Sequence, residues 1–407
     1  MNTQRIKLAT RNLLRHKLRS MMTLTAIVFG VTGLILAGGF VQDVLVQLGE
    51  ATIHSQTGHI QIFKRDYLTK GSRYPERYLV DHPEDISVLA HRAPEVTDVM
   101  SRLTFSGSLN NGKRDLAIIG EGVEPAKEAK LGSLLQIVAG NALTDSDAEG
   151  ILIGEGVAAS LALKPDDHVT LLVATADGAI NTQEFRVAGV FRSFSKDYDA
   201  RAIRIQLAAA QELLLTQGVN LIVVSLRSTR DTDSAQARLV GIINNPSLEI
   251  KTWRQLSDFY DKTVALYQSQ FGVLQWIILI MVLLSVSNSV NMSIMERVGE
   301  FGTARALGDH TSDTFKQVVL ESTLLGLFGA ALGAAVGMLL ATGINQLGIP
   351  MPPPPNSSQG YVASIRFTPW LVFSSALIGL IGTILASLFP AWKVSRIPVV
   401  EALRQNV

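Results

Sequence analysis

Four stretches of the chain are apolar for long enough to cross a bilayer as a helix, which takes roughly 20 residues. They are Met21–Val41, "MMTLTAIVFGVTGLILAGGFV", then about Phe271–Ile294, Val318–Ile344 and Pro369–Trp392. The first exceeds the roughly 7–15 apolar residues of a cleaved leader, so it is expected to remain as an anchor. Residues 45–268 have a different texture. "TGHIQIF" alternates like a half-buried strand, and "SRLTFSGSLNNGKRDLAIIG" predicts two strands about an Asn-Asn-Gly-Lys turn. "GILIGEGVAASLAL" predicts a strand, a glycine turn and a short helix, and "HVTLLVATADGAINTQEFRVAGVF" a hairpin bending at Asp177-Gly178. "AAAQELLLTQG" predicts a helix ending at Gly218, "VNLIVVSLR" a buried strand, and Leu256–Tyr267 an amphipathic helix leading into the second apolar run.

The expected fold class is therefore a membrane protein of four transmembrane helices, with a large α+β extracytoplasmic domain inserted between the first two. That domain is long enough for two subdomains. The expected division is an amphipathic N-terminal helix over 1–20, spans at 21–44, 269–294, 317–345 and 369–392, and the inserted domain at 45–268. A short link at 295–316, a proline-rich loop at 346–368 and a tail at 393–407 complete it. "GIPMPPPPNSSQGY" (348–361) must be extended and stiff, because proline fixes φ and lacks an N–H.

Charge decides the orientation. Arg5, Lys7, Arg11, Arg15, Lys17 and Arg19 precede the first span without an acid, the link carries Arg297, Arg305 and Lys316, and the tail Lys393, Arg396 and Arg404. The proline-rich loop has only Arg366. By the positive-inside rule, both termini and the link are cytoplasmic and the inserted domain lies outside. Ile6, Ala9 and Leu13 share one face of the N-terminal segment and its arginines another, as in an interfacial helix, although a plain topology signal accounts for the charges as well. The composition, 47% hydrophobic and 17% charged with a net charge of +1, gives no reason to expect nucleic acid. The absence of cysteine excludes disulfides, thiolate chemistry and an acylated N-terminal cysteine.

Catalytic signatures are missing. There is no Gly-x-x-x-x-Gly-Lys-Ser/Thr, no His-Glu-x-x-His and no Gly-x-Ser-x-Gly. His54 and His59, the nearest of seven histidines, are read as structural, and "GEGVAAS" (154–160) as a turn. A non-catalytic chain without a cofactor of its own is expected. In the third span Gly326, Gly329, Gly333 and Gly337 form one stripe, which suits either packing within the chain or a dimer seam. Glu321 is expected at the cytoplasmic interface, and Ser285, Asn288, Ser289 and Asn291 in interhelical hydrogen bonds.

"MERVGEFGTARALG" (295–308) is an odd link between two spans. On a helix, Glu296, Glu300, Thr303 and Leu307 share one face, and Val298, Phe301 and Ala304 another. A solvated linker needs neither Phe301 nor three glycines, so this stretch is expected to meet a partner.

With "VVLESTLLGLFGAALGAAVG" and "FPAWKVSRIPVVEALR", it resembles the membrane domain of the ABC transporter permeases that include MacB, LolC, LolE and FtsX. Arg297, Glu300, Gly302, Arg305, Ala306 and Gly308 match the pattern Arg-x-x-Glu-Ile-Gly-x-x-Arg-Ala-x-Gly, with Phe301 in place of isoleucine. Pro398–Arg404 match the C-terminal Pro-Val-x-Glu-Ala-Leu-Arg, and "IKLATRNLLRHKLRS", "TGHIQIF" and "ILIGEGVAASLALKPDDHVTL" also fit. The chain departs from MacB in lacking a fused ATPase domain, and leans towards the LolE-like branch.

The resemblance implies a coupling helix seated on a separate ATPase subunit, which would bind ATP and Mg. Arg297, Glu300, Phe301, Gly302, Arg305 and Gly308 would lie at that contact, with Glu401 and Arg404 of the tail beside it. It also implies a second permease copy or paralogue, a location in the bacterial inner membrane, and a lipoprotein or other amphiphilic cargo, with a periplasmic carrier or adaptor as a further partner. Efflux of the MacB kind and signalling to a cell-wall hydrolase of the FtsX kind are the alternatives; the size of the inserted domain argues against the second.

Overall fold

The computed structural model describes residues 17–71, 75–131, 135–175, 178–353 and 360–404. The basic segment with Ile6, Ala9 and Leu13, the residue Asp177 of the hairpin bend, and Pro354 and Pro355 of the proline run lie outside the described residues. The chain forms two compact units, one of residues 1–45, 263–350 and 362–407, the other of 46–262 and 351–361.

In the first unit the four apolar runs form helices longer than the runs themselves: α1 (Lys17–Thr52), α2 (Asp258–Glu296), α4 (Thr311–Leu347) and α5 (Pro369–Ser395), with the short α3 (Val298–Ala306) and α6 (Val399–Arg404) between and after them. Each of the four is long and apolar enough to cross a membrane. Their ends follow local chemistry. Thr368 caps α5, its hydroxyl accepting from the Leu371 N–H at 3.2 Å ahead of Pro369, whose missing N–H costs nothing in a first turn. His310 and Asp313 cap α4 reciprocally, and Gly348 closes it in the left-handed conformation. Ile27, Val31 and Ile35 of α1 and Val282, Val286 and Val290 of α2 share one buried cluster with Ala330 and Ala334 of α4.

The second unit is built on a ten-stranded sheet: β1 (Ile60–Lys64), β2 (Val96–Asn110), β3 (Asp115–Val123), β4 (Gln136–Gly140), β5 (Gly150–Gly154), β6 (His168–Ala174), β7 (Ile180–Arg192), β8 (Ala202–Gln206), β9 (Leu221–Leu226) and β10 (Leu248–Thr252). The long strand β2 serves both halves. Its first part pairs β9, which continues through β1 to β10, and helices Pro83–Ala90 and Thr232–Ile243 cover this half with their own core of Ile62, Ile86, Val99 and Leu239. Its second part pairs both β3 and β6, and the ladder closes on itself through β8, β5 and β7. Leu103, Phe105, Leu171, Phe185 and Ile203 belong to this half's core.

The β2–β3 turn falls where its sequence predicts, Asn110 pairing Asp115 and Gly112 taking φ +82°. Three expectations change. β1, between β9 and β10, does not alternate: both of its faces are covered, and Gln61 is buried with its amide donating to the Thr57 carbonyl at 2.9 Å. The helix Leu207–Leu214 is closed by Leu215 at φ +54°, before Gly218. The helix entering the second apolar run begins at Asp258, after a break at Ser257, and runs unbroken to Glu296.

Candidate functional site

The break between α2 and α3 is made by one residue. Arg297 leaves helical geometry (φ −111°, ψ 10°), and its guanidinium turns inward to Glu321 on α4, with Nη1–Oε2 at 2.8 Å and Nη2–Oε1 at 3.4 Å. Its Nε donates to Glu300 at 3.2 Å, and its charge sits 5.0 Å from the centre of the Phe301 ring. Gln317 adds a hydrogen bond to Glu321 at 3.4 Å. Arg297 and Glu321 are 6% and 9% exposed. A buried pair of this kind is a poor source of stability compared with apolar packing, but its fork geometry fixes direction. Here it fixes the angle at which α3 leaves α2.

That angle gives α3 two faces. Val298, Gly299, Phe301 and Gly302 are buried, and Val298 and Phe301 join the core of the helical unit. Glu300, Thr303 and Leu307 are exposed, Leu307 by 85%. Arg305 donates to the Ile397 carbonyl, and α6 packs on α3 with Ala402 buried and Glu401 exposed. At Gly308 the chain takes φ +115°, open to glycine alone, and turns into α4.

The structure thus brings together Arg297, Glu300, Phe301, Gly302 and Arg305, with the tail helix beside them. It places Arg297, Phe301 and Gly302 on the inside, while Glu300, Thr303, Leu307 and the turn at Gly308 are exposed. Glu321, expected at the cytoplasmic interface, is the counter-ion of Arg297. An acid in an apolar run and an arginine at the mouth of the preceding span are the available signal in the sequence, and nothing local pairs them.

The glycine stripe packs within the chain. A Cβ on Gly329 would come 2.8 Å from Ile27, one on Gly333 2.9 Å from Val31, one on Gly337 3.1 Å from Ile35 and one on Gly326 3.1 Å from Thr383. The Thr32 hydroxyl donates to the Gly333 carbonyl at 3.1 Å across the same seam. Of the polar residues of α2, Ser289 bonds Thr23, while Ser285, Asn288 and Asn291 face outward. Trp276 and Leu284 on α2 are each 67% exposed.

A family model described as the MacB-like periplasmic core domain matches residues 20–242, more than half of the chain. The chain belongs to the MacB-like family. The FtsX-like permease C-terminal model matches residues 272–399 of this MacB-like chain, the segment that holds α3 and the Arg297–Glu321 pair. It is an ABC transporter permease of the MacB/LolC/FtsX type. An uncharacterized ABC transporter permease of Methanocaldococcus jannaschii is 25% identical over 274 residues, 65% of the MacB-like chain and 64% of that relative, so the match spans just under two thirds of its length. The lipoprotein-releasing system transmembrane protein LolE of Haemophilus influenzae is 21% identical over 342 residues, 80% of this chain and 82% of LolE. Among solved structures, the periplasmic region of MacB from Actinobacillus actinomycetemcomitans matches at 16% identity with a TM-score of 0.37, covering 51% of this chain and 94% of that one.

Proposed function

We propose that this permease is the membrane subunit of an ATP-driven transporter that carries the motion of a separate ATPase across the inner membrane to the inserted domain. The work done there is the release or export of a lipoprotein or another amphiphile. The observation that carries the reading is the two-faced helix α3: its inner face is anchored in the chain's own core and its outer face is open. In this reading Glu300, Thr303 and Leu307 meet the ATPase, and Arg297, Phe301 and Arg305 hold the helix in place for it. ATP and Mg belong to that partner. The basic N-terminus, the link and the tail face the cytoplasm, and the inserted domain faces the periplasm.

A second permease is placed against the uncovered face of α2. Amides such as those of Asn288 and Asn291 are disfavoured in hydrocarbon and find partners across helix interfaces. The likeness to LolE, of a lipoprotein-releasing system, supports the cargo class, while that to MacB, a macrolide export protein, supports an efflux alternative.

The test is Glu300→Lys in the full chain, reconstituted with its ATPase. The expected result is normal membrane insertion with loss of transport-linked ATP turnover; native coupling would remove α3 from the ATPase contact. Mass spectrometry of what co-purifies with the native chain in mild detergent separates the cargo readings: acylated protein favours lipoprotein release, and an adaptor with a small hydrophobic molecule favours efflux.

A further inference from the structure

The inserted domain holds a buried charge cluster that none of the steps above uses. Arg102 on β2 and Arg204 on β8 are 2% and 4% exposed, and Arg102 is the largest side chain in the fully buried interior. Arg102 forks onto Glu128, its Nη2 lying 2.9 Å from Oε2 and its Nε bonded to the other oxygen, and its Nη1 donates to the carbonyl of Gln56. Arg204 donates from Nε to Glu121 on β3 at 3.0 Å and from Nη2 to the carbonyl of Ser55 at 3.3 Å. The Tyr198 hydroxyl lies 3.4 Å from the same nitrogen, and Nη1 lies 3.7 Å from Glu128. Burial pushes the Glu128 carboxyl up, but Arg102 and Arg204 together hold it below the ordinary glutamate value, so it stays ionised.

Ser55 and Gln56 are consecutive residues of the π turn Ile53–Thr57 that continues α1. The last carbonyls of a helix have no N–H ahead of them and carry partial negative charge, so a cation there is favoured. Two arginines supplied by two different strands satisfy neighbouring carbonyls of one turn, and each arginine is held from behind by a buried acid. Apolar side chains of similar volume would be about as stable at less desolvation cost. What the charged arrangement adds is a fixed direction between the helix end and the sheet.

The return connection is built differently. Thr252 and Gln255 cap the single turn Trp253–Leu256, and Ser257 (φ −115°, ψ 79°) then interrupts the helix before Asp258. This break is bridged by the ion pair Arg254 to Asp261 at 3.3 Å, with both side chains more than half exposed and so of little weight, and by the edge-on contact of the Trp253 and Tyr260 rings at 4.7 Å; neither is a buried fork that fixes an angle.

We infer that Arg102 and Arg204 form a rigid joint that locks the end of α1 to β2, β3 and β8, while Ser257 is the compliant joint on the return. Of the two connections to the sheet, one is then stiff and the other yields. The use of this joint rests on the transmission reading above; its existence does not.

The experiment is a distance measurement by spin labels on the full chain in nanodiscs, which has no native cysteine to interfere. One label pair is Val46→Cys with Ile119→Cys, both exposed, on α1 and β3; the other is Lys262→Cys with Ile119→Cys, beyond the break at Ser257. The native chain should give a single narrow distribution for the first pair and a broad one for the second. The double variant Arg204→Met/Glu121→Leu, which leaves no orphaned charge, should broaden the first distribution and leave the second as it was. A first distribution as narrow as native, or equal broadening of both, overturns the joint. If that variant fails to fold, Arg204→Lys decides, since it keeps the charge and loses the fork: a first distribution as narrow as native again overturns the joint. ATP added with the ATPase tests the other reading separately. If neither native distribution responds, transmission fails while the joint, measured without nucleotide, stands.

Discussion

Replacing Arg297 by methionine removes one partner of a pair that the fold has sealed in. Glu321 is then left 9% exposed without the guanidinium that faces it, though it keeps the 3.4 Å bond from Gln317. Breaking a buried pair from one side costs about 3–5 kcal/mol, because the remaining charge keeps its desolvation penalty without compensation. The residual Gln317 bond places Arg297→Met at the lower end, about 3 kcal/mol. Each 1.4 kcal/mol is a factor of about ten, so the folded-to-unfolded ratio should fall by roughly two orders of magnitude. Glu321→Leu alone should cost a similar amount, since it takes from the buried guanidinium its buried counter-ion and leaves it the half-exposed Glu300. The double variant Arg297→Met/Glu321→Leu removes both charges and should return to within about 1 kcal/mol of native, with Phe301 packing on the methionine. Glu300, whose side chain is 50% exposed, should contribute under about 1 kcal/mol when changed to Gln. The assay is reversible unfolding of the full chain in mixed micelles, with the four variants run as a double-mutant cycle. Additive single costs in the double variant, or less than about 1 kcal/mol for Arg297→Met, would refute the claim that this pair anchors α3.

Gly333→Leu should destabilise the helical unit, because even a Cβ there would meet Val31 at 2.9 Å and the Val28 carbonyl at 3.1 Å; overpacking of this kind costs about 1–3 kcal/mol, read as a lower melting temperature in nanodiscs. His59 is buried, accepts the Leu226 N–H at Nδ1 and faces the Thr229 hydroxyl at Nε2, and burial, with His54 adding to it, lowers its pKa from 6.5 to about 4. The folded state therefore favours the neutral ring: its contribution is intact above pH 6.5, falls progressively from 6.5 to 4, and reaches a loss of about 3 kcal/mol below that. His59→Gln should flatten that part of the stability profile, and a native profile unchanged down to pH 4 would contradict the burial argument. A cysteine at Asn288 should cross-link two copies in membranes if they meet along α2, whereas one at Thr32, buried within the chain, should not.

Much of this was legible in the chain. Spans announce themselves by length and hydropathy, and the Asn110–Lys113 turn by its chemistry, because both depend on residues close in sequence. The two faces of α3 were readable for the same reason: Val298 and Phe301 sit three apart, as do Glu300 and Thr303. The inward turn of Arg297 was not readable, since its partner Glu321 lies on another helix and nothing local distinguishes a paired arginine from a solvated one. β1 misled because alternation marks one buried face, and here Ile60, Gln61, Ile62 and Phe63 are all buried, so both faces are covered. The Arg102–Arg204 joint joins β2, β8 and the end of α1, an encounter that only the tertiary fold creates. The glycine stripe marks a close-packing face in the sequence, but which helix it meets follows from topology alone.

The pairing of β1 has a consequence for how the protein is made. That strand lies between β9 and β10, and the first part of β2 also waits for β9, so these two segments have no sheet partner until Leu221–Leu226 has been synthesised. At roughly 5–20 residues per second, that leaves an unpaired, strongly apolar strand waiting for about ten seconds or more after it emerges. The β2–β3 hairpin, by contrast, can form as soon as its turn exists. Biogenesis thus has a fixed order, with the last strands completing a sheet begun by the first, and β1 is the segment that a holding chaperone would shield in the interval.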